Sequence, residues 1–209
     1  MRKHIKSNFD FNKFLCEKTL NYFRDHLNLD QLEVEKLYLG IMVIGISISE
    51  LIIVFIIAFF IGIIKGVILF TIMFAILRLT AAGVHCKSSL ACIIFTSIIY
   101  IGSSYISIKC PLNMHLTFII SIISTLLLYK YSPADTENRP ILGEEHRKKL
   151  KIQTTIIASI LILINLLLLN KIVFNLTMFA LLLEALSILP LSYKLMKTNY
   201  NNYEKYESV

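Results

Sequence analysis

Residues 66–108 read GVILFTIMFAILRLTAAGVHCKSSLACIIFTSIIYIGSSYISI, two apolar runs joined by a short polar stretch. The first run is unbroken from Gly66 to Leu77 and is interrupted by Arg78; the second resumes at Leu90. Apolar runs near twenty residues match the hydrocarbon thickness of a bilayer when they are helical. The junction RLTAAGVHCKSSLAC, residues 78–92, carries an imidazole at His85 and a thiol at Cys92, seven residues apart. Together these are the minimum parts for cysteine nucleophilic catalysis: the imidazole takes the thiol proton and the thiolate attacks a carbonyl.

The rest of the chain repeats the apolar pattern. Of its 209 residues 56% are apolar and none is tryptophan, and the mean hydropathy is +0.69. A soluble domain of this length needs far more polar surface, so the composition predicts an all-α integral membrane protein. Six spans are expected, roughly at 37–64, 66–84, 88–108, 111–130, 151–170 and 172–193. The first, about 40 Å long as a helix, exceeds the hydrocarbon core and must tilt or protrude. Pro111 suits the first turn of span four, and Pro190 should bend or end span six. The chain reads as one domain: a polar region at 1–36, a six-span bundle at 37–193 and a tail at 194–209. The mixed charge of residues 1–36 predicts no cleavable signal peptide.

The basic residues sort by connection. Seven precede span one, six lie between spans four and five (Lys130, Arg139, Arg147, Lys148, Lys149 and Lys151), and three follow span six. Arg78 and Lys87 flank the second connection, while the remaining three hold only Lys65, Lys109 and Lys171, one each. That alternation is what the positive-inside rule predicts for both termini cytoplasmic, and it puts His85 and Cys92 on the same side. In residues 11–27 the apolar positions recur near helical spacing among charges, which predicts an amphipathic helix lying either on the inner leaflet or on the protein's own cytoplasmic face. Asp30 and Glu33 resemble a capping box ahead of span one.

On one unbroken helix His85 and Cys92 would stand about 10 Å apart along the axis, too far for a hydrogen bond. The pair therefore requires a fold-back. Gly83 can end span two in a left-handed conformation, Ser88 or Ser89 can cap a new helix, and Cys92 then falls near its first turn, where free N–H groups favour a thiolate. Cys86 rivals Cys92, but it adjoins His85 and neighbouring side chains diverge. Cys16 and Cys110 read as small hydrophobes. Arg78 either snorkels or supplies a cation for a substrate carboxylate or for developing negative charge. Glu50 and Glu184 are ionisable groups inside expected spans, which points to function or a buried partner; Glu184 could instead be solvated near the interface. No metal is expected, since His85, Cys86 and Cys92 are too few and badly spaced for a closed zinc site, with His115 toward the opposite side.

With these residues the chain resembles the accessory gene regulator protein B (AgrB) family, membrane peptidases of Gram-positive quorum sensing. The resemblance rests on Arg78, Gly83, His85 and Cys92 at the family's spacing, on YSPADTENRPI at 131–141 and on LLEALSILP at 182–190. Ala82 departs from it, because the family often has a second glycine there. The resemblance implies a cysteine endopeptidase in a bacterial cell membrane, acting on an AgrD-like precursor with an amphipathic leader and an acidic C-terminal tail. His85 would be the general base and Cys92 the nucleophile, with Arg78 and Gly83 in support. A thioester on Cys92 would pass to the precursor's own Cys or Ser, giving a cyclic thiolactone or lactone, with no cofactor.

The competing reading is a non-enzymatic peptide exporter with Glu50 and Glu184 lining a polar path. A homodimer is compatible with so small a bundle, and nucleic-acid binding is not expected because topology accounts for the positive charge. Thiol alkylation separates the two readings: a cysteine peptidase loses activity on alkylation, whereas an exporter that depends on its glutamates keeps it.

Overall fold

The computed structural model describes residues 31–84, 89–137 and 140–207. Among these the chain is helical: α1 (Gln31–Ile61), α2 (Ile64–Ala81), α3 (Ser89–Lys109), α4 (Met114–Tyr131), α5 (Glu144–Leu168), α6 (Lys171–Ser187), α7 (Pro190–Leu195) and α8 (Glu204–Glu207). An isolated parallel bridge joins Ala82 to Ala134. The chain divides into two compact units, Met1–Ile53 and Val54–Val209. The first unit contributes the start of α1, where Ser49 Oγ donates to the Gly45 carbonyl at 2.8 Å. Everything below concerns the second unit unless stated.

In the second unit α6 is the central helix, packed against α2, α3, α4, α5 and α7. Its sequence, KIVFNLTMFALLLEALS, is apolar around much of its circumference, and a helix apolar all round is one that is surrounded. Its few polar groups find partners inside the bundle. Asn175 accepts from the Leu112 N–H at 2.9 Å, and Thr177 Oγ1 accepts from Asn165 Nδ2 at 2.7 Å. The outer helices turn large apolar side chains outward, among them Ile72 and Leu79 on α2, Ile98 on α3, Leu126 on α4 and Leu167 on α5. The inward faces of α3, α4 and α5 include small polar side chains. Ser107 on α3, Thr117, Ser121 and Ser124 on α4 and Thr154 on α5 each donate to the carbonyl four residues back, at 2.7–3.0 Å. Large apolar groups outside and small polar ones inside is the arrangement of helices packed in lipid, where close contact replaces the hydrophobic drive.

Four helices, α2, α3, α4 and α5, are long and apolar enough to cross a membrane, which fits a membrane protein. Of the other two expected spans, the first coincides with a shorter apolar stretch of α1, Ser47–Ile61, and the sixth with α6, Lys171–Ser187, of 17 residues. Several boundaries differ from the sequence expectation. Helix α5 starts at Glu144 rather than near 151, because Glu144 and Glu145 suit the first turn and Lys148 pairs with Glu144 at 2.6 Å. Charged turns extend the helix beyond its apolar run. Pro111 lies ahead of α4, not in its first turn; Asn113 is the N-cap, its side chain accepting from the His115 N–H at 2.9 Å. Pro190 neither bends nor ends α6, which stops at Ser187, but opens α7, where its missing N–H costs nothing. The expected amphipathic helix at 11–27 and Asp30 lie outside the described residues.

The central position of α6 sets its sensitivity to truncation. Leu181→Ala, at a fully buried site, should cost about 2–5 kcal/mol and lower the thermal midpoint in detergent. Leu167→Ala, at a side chain 75% exposed, should leave the midpoint unchanged when both are followed by thermal unfolding.

Candidate active site

Helix α2 ends at Ala81, residues 82–84 are not helical, and α3 as described begins at Ser89. The end of α2 is closed by its own Arg78. The guanidinium donates through Nη1 to the Ala82 carbonyl at 2.7 Å and to Ser187 Oγ at 2.6 Å. Through Nη2 it donates to the Val84 carbonyl. Glu184 Oε2 stands 3.5 Å from Nη1, long for a hydrogen bond but close for opposite charges. Arg78 is 20% exposed and Glu184 0%. At this separation the attraction is about 5 kcal/mol for an effective dielectric near 20, comparable with the cost of desolvating the pair. The pair therefore adds little net stability, but removing one partner would cost about 3–5 kcal/mol by stranding the other.

The backbone beyond α2 is held from two sides. The Gly83 N–H donates to the Ala134 carbonyl at 2.8 Å, and the Ala134 N–H donates to the Ala81 carbonyl at 2.9 Å. The Val84 N–H donates to the Ser187 carbonyl at 3.2 Å. Ser187 thus meets Arg78 with its hydroxyl and Val84 with its backbone. Gly83 has φ +114, open to glycine, and a Cβ there would overlap Arg78 Nη1 and lie 2.6 Å from Ser187 Oγ. Ala82 has φ 60 and ψ −130, a conformation that alanine rarely adopts. A glycine at this position would relieve that strain.

The loop that grips Gly83 is itself anchored. Its Ser132–Pro133 peptide is cis. The buried Tyr193 donates its hydroxyl to the Ala134 carbonyl at 2.9 Å. Asp135, also buried, accepts from the backbone N–H groups of Asn202 and Tyr203 at 2.8 and 2.7 Å. Three stretches far apart in sequence, 78–84, 132–135 and 184–193, therefore meet at one turn.

The structure places the singled-out residues unevenly. Arg78, Gly83 and Glu184 are brought together. Arg78 does not snorkel but turns inward, and Glu184 is buried rather than solvated, with Arg78 as its partner. Cys92 is the fourth residue of α3 and half-exposed, at the positive end of that helix. His85, Cys86, Lys87 and Ser88 lie outside the described residues; His85 directly follows the anchored Val84. Glu50 belongs to the part of α1 in the first unit; it is buried and its Oε1 has no hydrogen-bond partner among the described residues. His115, in the first turn of α4, is about 25 Å along that helix from the loop at Ser132. Ser187, Tyr193 and Asp135 escaped the sequence reading. For Ser187 a signal existed, since three residues after Glu184 it shares that helix face.

The family model described as Accessory gene regulator B matches residues 16–188. A putative AgrB-like protein of Clostridium acetobutylicum is 34% identical over 182 residues, 87% of this chain and 87% of that protein. A putative AgrB-like protein of Listeria innocua is 34% identical over 131 residues, 63% of this chain and 64% of the relative. The accessory gene regulator protein B of Staphylococcus intermedius is 26% identical over 148 residues, 71% of this chain and 78% of that protein. No solved structure matches.

The two positive-φ residues should respond oppositely to exchange. Ala82→Gly should raise the thermal midpoint, since relief of about 1–3 kcal/mol of strain outweighs the entropy cost of glycine, about 0.5–1 kcal/mol. Gly83→Ala should lower it, by strain and by displacing Arg78 and Ser187. Thermal unfolding in detergent reads both.

Proposed function

We propose, from the premise that this chain belongs to the accessory gene regulator B family, that it is a membrane-embedded cysteine endopeptidase and peptide cyclase. The family connects the chain with accessory gene regulator quorum sensing. The partner on this reading is an AgrD-type precursor, with the chain's termini and active site on the cytoplasmic side of the membrane. One peptidase domain is consistent with a family match that runs through both units.

Cys92 is the nucleophile and His85 the general base. The Cys92 proton passes to the imidazole, and the thiolate attacks the carbonyl carbon that joins the pheromone segment to the tail. The C–N bond breaks, the tail's amine takes the proton back from the imidazolium, and the segment remains on Cys92 as a thioester. The precursor's own thiol or hydroxyl then attacks the same carbonyl, returning the proton and the free thiol to Cys92 and closing the ring. Exchange of one thioester for another roughly conserves bond energy, so ring closure by a thiol needs no ATP. Water is the competing nucleophile, and a site shielded at the membrane interface limits it.

The observation that carries this reading is the anchored turn. Arg78, Ser187 and Ala134 fix the backbone through Val84, the residue before His85, while α3 starts a few residues on and presents Cys92 at its N-terminal end. Arg78 and Gly83 act here as positioning residues. The exporter reading loses one of its two glutamates, since Glu184 is engaged by Arg78.

Co-expression with the cognate precursor tests the assignment. Wild type should release the C-terminal tail, and Cys92→Ala and His85→Ala should each reduce release by about 10³-fold or more while still reaching the membrane, with mass spectrometry as the readout. Normal processing by either variant would sink the assignment of that residue. No processing by wild type, with precursor and protein both present, would favour export.

A further inference from the structure

The first turn of α5 holds a second organised group, separate from the turn at Gly83. Arg147 forms a two-pronged pair with Glu207, Nη1 to Oε1 at 2.6 Å and Nη2 to Oε2 at 2.9 Å. The Gly143 N–H adds a third bond to Oε1 at 2.7 Å. The guanidinium is oriented by contacts that do not involve Glu207. Nη1 donates to the Ile141 carbonyl at 3.1 Å, and the guanidinium carbon lies 3.9 Å from the centre of the Tyr203 ring. A planar fork fixed in this way, with a backbone N–H beside it, is a receptor for a carboxylate.

The group that fills this receptor is the chain's own. Glu207 belongs to α8, a four-residue turn, and its side chain is 35% exposed. Arg147, with help from the Gly143 N–H, holds the Glu207 carboxyl below its ordinary range. The pair is partly exposed, so water and an incoming carboxylate can reach it. Beside it opens a cleft of about 340 Å³ lined by Tyr131, Arg147, Lys148, Lys151, Tyr200 and Tyr203. Its one acidic wall residue, Glu144, is paired with Lys148. Lys151, whose Nζ lies 4.8 Å from the centre of the Tyr129 ring, has no acidic partner among the described residues and can meet a second acidic group. The cleft also includes Ser132 and Pro133, at the start of the loop that grips Gly83.

We infer that this cleft binds an acidic peptide segment, and that Glu207 is an internal occupant which such a peptide must displace. The inference rests on the peptidase reading for the identity of the peptide, the acidic tail of the precursor. Its own content is the competition between the chain's C-terminal carboxylate and that tail. A carboxylate is favoured over a lipid phosphate because the occupant already in place is a peptide carboxylate that uses both prongs of the fork and the backbone N–H.

The test uses the full chain in detergent, carrying Cys92→Ala so that binding is measured without turnover. The probe is a fluorescent ten-residue peptide of alternating Glu and Gly, with alternating Gln and Gly as the control, followed by anisotropy. The Glu peptide should bind and the Gln peptide should not. Glu207→Gln should tighten binding about five-fold, because the internal competitor is gone. Glu204→Gln should tighten binding much less than Glu207→Gln, since Glu204 accepts from Asn201 on the cleft wall and does not occupy the Arg147 fork. Lys148→Gln combined with Lys151→Gln should weaken binding about ten-fold.

Unchanged or weaker binding by Glu207→Gln, equal binding of the two peptides, or no binding of the Glu peptide to either chain would overturn the proposal. So would a gain in affinity for phosphatidylglycerol vesicles, but not for the peptide, in Glu207→Gln. Tail release by the chain with Cys92 intact, alongside a failed binding test, would remove the cleft and keep the peptidase. The converse result would remove the peptidase and keep the cleft.

Discussion

A helix that stops and turns back at the edge of a bilayer exposes carbonyls with no helical partner, and in low-dielectric surroundings each one is costly. In this protein a single guanidinium answers two carbonyls just past the end of α2, while the Ala134 N–H answers that of Ala81. Arg78 reaches past its own helix to the carbonyls of Ala82 and Val84 and ties both to Ser187 on the central helix. An ammonium group could satisfy one or two of these acceptors but not hold them in one plane. The charge that makes Arg78 useful also needs an answer in the bundle, which the buried Glu184 supplies one turn before Ser187.

Helix α6 gives this interaction its rigidity. Being enclosed by α2, α3, α4 and α5, it is the natural reference frame for the second unit. The loop at 132–135 approaches the same turn from the other side and is pinned by Tyr193 and by the Asp135 contacts to the C-terminal segment. A displacement of any one of the three stretches would therefore be felt at Val84. Arg78, Ala134 and Ser187 are spread over more than a hundred residues of sequence and are neighbours in space.

Much of this was legible in the sequence, for identifiable reasons. The apolar runs placed α2, α3 and α4 within a few residues, because span length is set by bilayer thickness. Gly83 was readable as a helix stop, since its surroundings ask for a positive φ. The early start of α5 was not, because hydropathy marks where a helix enters lipid and not where it begins. Glu184 was visible as an ionisable group in an apolar run, but its partner lies 106 positions away and periodicity carries no such information. The roles of Tyr193 and Asp135 are likewise tertiary, resting on contacts with a loop and a tail that local pattern does not link. Cys92 is singled out by chemistry rather than by pattern, through its step from His85 after the break that follows α2.

The proposed peptidase chemistry turns on the thiol at the start of α3 being acylated with His85 as its base. The most direct measurement supplies a precursor whose internal nucleophile is replaced by alanine, so that the thioester cannot resolve, and maps the adduct by peptide mass. The account predicts the pheromone segment attached to Cys92, labile to hydroxylamine, and absent when His85 is replaced by alanine. Tail release with no adduct, or with the adduct on Cys86, would contradict it.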